Sequence, residues 1–143
     1  MEAFTFHNPT RIHFGVGMIA QLGKELQAAG HASCLMIAGG GSIKQNTVYN
    51  QVIESLSKHG INVIEAWGVQ ANPTLDKVRE MVVLAREAKV DAILAVGGGS
   101  VIDSAKAVAA GVFLADPWDA FAKDIRIEKA LPIYTVLTLS ATG

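Results

Sequence analysis

The sequence predicts an α/β fold: a mostly parallel sheet with helices on both faces, preceded by an N-terminal β-hairpin. Three observations carry that expectation. Short, wholly apolar runs at residues 34–38 and 92–96 lack the alternation of a half-exposed strand, and such runs belong to parallel strands covered on both faces. Segments with apolar residues at helical spacing lie between the strand signals. The two signals alternate along the chain, and repeated β-α-β order implies parallel strands joined by helical crossovers.

Taken in order, residues 3–7 place Phe4 and Phe6 on one face, and residues 11–14 place Ile12 and Phe14 on one face. Asn8, Pro9 and Thr10 between them are turn formers, so the pair reads as a hairpin with one buried face. A helix follows over about 18–29, with Ile19, Leu22 and Leu26 inward and Gly30 as its stop. Residues 34–38 form the first central strand. The next helix, about 47–58, turns Val48, Val52, Ile53 and Leu56 inward and ends near Gly60; residues 61–66 read as a strand. Asn72-Pro73-Thr74 opens a helix with a stripe of Leu75, Val78, Val82 and Leu84, leaving Asp76 and Glu80 on its solvated face. Residues 92–96 are the second central strand, and a helix starts at Ser100. Asp116-Pro117-Trp118 breaks the pattern before a last strand at 133–137. No repeat, low-complexity tract or linker divides the 143 residues, which are one domain's worth on a prior of roughly 100–200 residues.

Composition narrows the function classes. Half of the residues are hydrophobic and 17% are charged, so a core is easily filled. The net charge is −1 with no cluster of Lys and Arg, which argues against nucleic acid or an anionic membrane as the main partner. Cys34, alone of its type, offers no internal disulfide. Residues 1–10 lack the basic-then-apolar order of a signal peptide, and no apolar stretch reaches the roughly 20 residues of a membrane span. The expectation is a soluble cytoplasmic domain.

Glycines mark where the chemistry sits. Gly15-Val16-Gly17-Met18-Ile19-Ala20 fits a relaxed G-x-G-x-x-A fingerprint, but the segment before it carries Arg11 and His13 and alternates like an edge strand, so a turn into a helix is the better reading. Gly39-Gly40-Gly41-Ser42 and Gly97-Gly98-Gly99-Ser100 directly follow the two apolar strands. In a parallel sheet both loops lie at the carboxyl ends of their strands, the edge where open α/β sheets bind ligands. Glycines there remove the β-carbons that would keep a phosphate from backbone N–H groups. The second loop also opens a helix, whose free N–H groups and dipole favour an anion. Together the loops make the sheet Rossmann-like and predict a phosphate-bearing ligand. Each also has a plainer reading: a tight turn, or a capping box made by Ser100 and Asp103. Asp103 and Lys106 share a helix face and either form a surface salt bridge or line the cleft. No Asp or Glu follows Ala38, where NAD-binding folds often hold the ribose 2′-hydroxyl. The open loop with Ser42 and Lys44 suits a 2′-phosphate, which favours NADP(H) over NAD(H).

These residues resemble the iron-containing alcohol dehydrogenases, in their NADPH-dependent butanol dehydrogenase/aldehyde reductase branch. The resemblance runs over essentially the whole chain. It rests on Asn8-Pro9-Thr10-Arg11-Ile12 with Phe14-Gly15, on Gly39-Gly40-Gly41-Ser42, and on Asn72-Pro73. It rests most specifically on Gly97-Gly98-Gly99-Ser100-Val101-Ile102-Asp103 with Lys106, then on Asp116-Pro117-Trp118 and Leu137-Thr138-Leu139-Ser140-Ala141-Thr142-Gly143. By resemblance, the pyrophosphate contacts Gly98, Gly99 and Ser100, while Asn72, Thr138 and Thr142 flank the nucleotide and Asp103 faces the nicotinamide. Gly39, Gly40 and Ser42 surround the 2′-phosphate, and NAD-preferring relatives carry Asp at the position of Gly39. The Gly15 turn is an early structural feature in the family.

The resemblance implies a hydride-transferring enzyme acting on a small alcohol or aldehyde, commonly a homodimer paired through its N-terminal strand region. It also implies a longer protein, whose helical C-terminal domain binds Fe²⁺ or Zn²⁺ through one Asp and three His. That domain is absent from residues 1–143. His7, His13, His31 and His59 show no ligand spacing and match none of the metal positions, so metal binding and turnover are expected to be absent from this chain by itself. The alternatives are an NAD-linked polyol (glycerol-type) dehydrogenase domain and a non-catalytic nucleotide-binding domain.

Overall fold

The computed structural model describes residues 3–139. Four parallel strands make one sheet in the order β2-β1-β3-β4: β1 (Ser33–Ala38), β2 (Asn62–Ala66), β3 (Ala92–Gly97) and β4 (Ile133–Leu137). The register sets Leu35 opposite both Ile64 and Ile93, and Leu94 opposite Tyr134. The two apolar runs are the two central strands, and from Cys34 to Ala38 and from Ala92 to Val96 every residue is wholly buried. The flanking strands carry polar residues such as Asn62 and Glu65 because they are only partly covered. Asp91 starts the β1–β3 ladder: its carboxylate accepts from the N–H groups of Ala32 (2.9 Å) and Ser33 (3.1 Å).

Strand alternation divides the core into two layers. Leu35, Ile37, Ile93 and Ala95 face α4 (Leu75–Glu87) and α5 (Gly99–Gly111). Cys34, Met36, Leu94 and Val96 face α1 (Leu22–Ala28) and α3 (Val48–Lys58). Each large aliphatic side chain so covered contributes roughly 1.5–3 kcal/mol. Close helix contacts explain two glycines. A β-carbon on Gly23 would lie 2.0 Å from the carbonyl oxygen of Ser55 on α3, and one on Gly111 would lie 2.9 Å from Val82 on α4. Arg86 on α4 ties the end of α5 by donating to the carbonyls of Gly111 (2.9 Å), Val112 (3.0 Å) and Leu114.

The stops of α1 and α3 follow the predicted chemistry. After α1, Gly30 takes φ 85° and its N–H bonds Gln27 while that of His31 bonds Leu26; after α3, Gly60 takes φ 70° with the same pair of bonds one turn back. This is the left-handed cap that glycine favours. After α4, Lys89 occupies the equivalent position at φ 50°.

Three expectations are corrected. The N-terminal β-hairpin does not form: residues 3–14 have no strand pairing, and Phe4, Phe6, Ile12 and Phe14 are between 77% and 96% exposed. A two-stranded ribbon is marginal without a third strand or a covering layer, and nothing in the described residues packs on this one. Only the turn survives, as Asn8 accepts from the Thr10 N–H at 3.0 Å; Arg11 pairs with Glu25 at 2.7 Å. The helix expected over 18–29 divides into a 3₁₀ turn, Met18–Gln21, and α1, because Gly17 enters it from the left-handed region at φ 79°. A one-turn helix, α2 (Ser42–Gln45), precedes α3. Ser100 is inside α5 and not at its cap: Gly98 is the N-cap, so the Ser100–Asp103 capping box is not made. The last helical turn, α6 (Asp119–Ala122), follows the break at Asp116-Pro117-Trp118.

Candidate functional site

The chain runs outward from β1 to β2, then crosses back over β1 to β3. Connections leaving neighbouring strands in opposite directions open a crevice at the strands' carboxyl ends. Both glycine loops fall at that point. They line a cleft of about 260 Å³, with Gly39, Gly41 and Ser42 on the β1 side, Gly97 and Gly98 on the β3 side, and Thr138 beyond β4. Thr138 is brought there by its N–H bond to the Gly97 carbonyl at 3.1 Å. The volume falls below the roughly 300–1,000 Å³ of drug-sized ligand pockets, so it suits the phosphate middle of an extended ligand.

The glycines divide by what requires them. A β-carbon on Gly97 would sit 2.7 Å from Val101 Cγ2, so the packing of β3 against α5 excludes one. Gly41 takes φ 109°, a conformation that L side chains rarely adopt. Gly40 and Gly99 have neither constraint, since nothing lies within 4 Å of their missing β-carbons and neither has positive φ. Around Gly98 the nearest atom is the Leu139 carbonyl oxygen, at 3.9 Å. Gly40, Gly98 and Gly99 are thus empty space that the fold itself does not require.

At the start of α5, the N–H groups of Val101 and Ile102 bond the Gly98 carbonyl at 3.1 and 3.2 Å. Those of Gly99 and Ser100 precede any helical acceptor, and no side chain caps them. With the dipole of a 13-residue helix behind them, they form an anion-binding end. The Ser100 hydroxyl donates to the Ala71 carbonyl at 2.7 Å and so anchors the loop bearing Asn72 against this end. Asp103 is exposed and paired with Lys106 Nζ at 3.3 Å.

Of the predicted site residues, Gly39, Ser42, Gly98 and Thr138 meet in the cleft lining. Gly40, Gly99 and Ser100 adjoin it in sequence, while Asn72 and Asp103 are exposed outside the lining. Thr142 lies outside the described residues. The Gly15 loop is a turn away from the cleft, with the Met18 N–H on the Gly15 carbonyl at 3.4 Å. Sequence reasoning missed Asn46 and Leu139; the one-turn helix that carries the chain to Asn46 is too short for periodicity to reveal. It also missed a cluster beside residues 39–42, in which Lys44 Nζ lies 4.2 Å from the Trp67 ring centroid and 5.2 Å from that of Tyr49.

Cys34 is a core residue and no nucleophile: burial, with a smaller effect from Asp91, pushes its thiol up to about 12. Among the described residues no group of three or more His, Cys, Asp or Glu is placed to hold a metal ion. These residues therefore do not fit a metal centre, whereas the two loops fit a diphosphate. No helix of the described residues is long and apolar enough to cross a membrane.

Comparison with known proteins agrees with this geometry. Residues 9–143 match the family described as iron-containing alcohol dehydrogenase. The whole chain is 51% identical to the probable NADH-dependent butanol dehydrogenase 2 of Bacillus subtilis (strain 168), of which it spans 37%. It is 42% identical to the NADPH-dependent aldehyde reductase YqhD of Escherichia coli (strain K12), again spanning 37%. The crystal structure of NADH-dependent butanol dehydrogenase A from Thermotoga maritima superposes on 99% of this chain with a TM-score of 0.96 and 58% identity, the match covering 36% of that protein. The chain thus spans little more than a third of the length of these relatives. A family match over nearly every residue, on a fold whose two glycine loops meet at one crevice, places the chain in the iron-containing alcohol dehydrogenase family.

Proposed function

We propose that this chain is the nucleotide-binding part of an NAD(P)(H)-dependent alcohol dehydrogenase or aldehyde reductase. The observation that carries the reading is the convergence of both glycine loops on one cleft at the β1/β3 crevice. The cofactor, when bound, supplies the hydride chemistry. The N–H groups of Gly99 and Ser100 hold its diphosphate, Thr138 and Asn72 flank it, and Asp103 faces the nicotinamide end. Thr142, outside the described residues, belongs to the same proposed set. Gly39, Gly40 and Ser42 receive the adenosine ribose. On the same reading, Fe²⁺ or Zn²⁺ and the reacting alcohol or aldehyde are met by a helical C-terminal domain of a longer protein, in keeping with relatives of which this chain spans 37%. A cytoplasmic homodimer paired along residues 3–14 belongs to the same reading, and the exposed Phe4, Phe6, Ile12 and Phe14 support it.

NADP(H) is the favoured cofactor because no carboxylate follows β1 to repel a 2′-phosphate, and Ser42 and Lys44 stand there instead. The relatives named NADH-dependent support the opposite preference, so the two cofactors must be compared directly. Fluorescence titration of the purified protein with NADPH and NADH tests the reading. NADPH is expected to bind the more tightly, and Gly39→Asp, whose β-carbon position is 3.5 Å from the Val69 carbonyl oxygen, is expected to reverse the order. Equal or tighter NADH binding by the unaltered protein overturns the 2′-phosphate preference. Failure to bind either overturns the nucleotide reading.

A further inference from the structure

Beside the β1 loop, Glu65 on β2 accepts two hydrogen bonds from aromatic side chains. Tyr49 Oη donates to Oε1 at 2.8 Å, and Trp67 Nε1 donates to Oε2 at 2.6 Å. One carboxylate thereby fixes two rings, whose centroids are 5.7 Å apart at 51°. The bond to Glu65 also raises the Tyr49 phenol above its ordinary value. Over these rings lies the Lys44 ammonium.

The arrangement holds a cation without neutralising it. Both oxygens of Glu65 are taken by the rings, and among the described residues the lysine ion pairs are those of Lys77, Lys106 and Lys123. A carboxylate partner would cancel the charge of Lys44, whereas an aromatic face attracts an ammonium and leaves its outward donors free. The location is also specific. Lys44 follows Ser42 of the cleft by two residues, and Trp67 precedes Gly68, whose N–H bonds the Gly39 carbonyl at 3.2 Å. The shelf is therefore joined by backbone bonds to the outer wall of the loop.

Resting on the 2′-phosphate reading of that loop, we infer that Tyr49 and Trp67, braced by Glu65, are positioning residues that hold Lys44 for the 2′-phosphate of the cofactor. They set the preference for a phosphorylated ribose through Lys44, without touching the ligand. A free lysine would spend rotamer entropy on reaching the phosphate; the shelf spends that entropy during folding.

The test uses adenosine 2′,5′-bisphosphate and adenosine 5′-monophosphate as probes, titrated by calorimetry against the protein and its variants. Lys44→Gln is expected to weaken the bisphosphate and leave the monophosphate unchanged. Trp67→Leu and Tyr49→Leu are each expected to weaken the bisphosphate about two- to fivefold, the size of an exposed cation–π contact, again sparing the monophosphate. Trp67→Phe, which keeps an aromatic face, and Lys44→Arg should retain most of the preference. In the Lys44→Gln background Trp67→Leu should have no further effect, since the shelf would have no cation to hold. If Lys44→Gln lowers the preference while both shelf variants leave it intact, the inference fails and the 2′-phosphate reading stands. If Trp67→Leu acts equally with and without Lys44, the shelf is merely structural and the inference fails. If Lys44→Gln leaves the preference unchanged, Lys44 does not read the 2′-phosphate and the inference falls with that assignment.

Discussion

Gly97 and Gly99 are two residues apart in one loop, yet the structure assigns them different duties. At Gly97 a methyl group would overlap Val101, so Gly97→Ala forces β3 and α5 apart. Overpacking of that kind costs about 1–3 kcal/mol, and chemical denaturation should show the loss directly. At Gly99 a methyl group meets nothing within 4 Å, so Gly99→Ala should leave the denaturation midpoint unchanged or slightly higher. It should nevertheless weaken NADPH about tenfold or more, because the methyl group screens helix-end N–H groups whose bonds to an anion are each worth roughly 1.5–3 kcal/mol. A variant that keeps both stability and affinity would show that the diphosphate lies elsewhere. Reading the triplet as a unit hides this difference, since the motif is the same letter three times. Only the distance to Val101 separates a glycine that the fold needs from one that it does not.

At the scale of the element, the stops of α1, α3 and α4 make a natural comparison. α1 and α3 end in glycine at φ 85° and 70°, and α4 ends in Lys89 at φ 50° with the same bonding pattern. The left-handed conformation costs an L-residue roughly 1–2 kcal/mol, of which part returns as added entropy in the unfolded glycine chain. Lys89→Gly should therefore stabilise the protein by about 0.5–1 kcal/mol, read as a rise of a few degrees in the thermal midpoint. The corresponding change at Gly30, to Lys, should lower it. The stops at Gly30 and Gly60 were legible in the sequence because glycine advertises its conformation. The one at Lys89 was not, because lysine carries no preference for that backbone conformation.

At the scale of the whole molecule, burial is concentrated on β1 and β3, which lie between two helical layers. Their amides should exchange only through global unfolding, while residues 3–14, lacking strand pairing, should exchange at nearly free rates. Hydrogen exchange read by mass spectrometry checks this ordering, and strong protection of residues 3–14 would indicate pairing with another segment or a second copy. The same distribution explains the hairpin. Alternation of Phe4, Phe6, Ile12 and Phe14 is a correct signal for a strand with one buried face, but it cannot report whether a partner surface exists. Among the described residues none is present, and the alternation remains without a sheet.

The sequence by itself determined the central strands, the order of strands and helices, and the position of both glycine loops at strand ends. Those features are written in short windows, as apolar runs, helical periodicity and residues with special backbone freedom. The tertiary structure decided the strand order, and hence that residues 39–42 and 97–99 share one crevice although more than fifty positions separate them. It decided which glycines are required by packing and which have open space around them. It also decided that Lys44, which the sequence sets beside the first loop, rests on Tyr49 and Trp67. The physical reason is common to all three: each depends on contacts between segments that approach only when the sheet assembles, and no local pattern of side chains records such an approach.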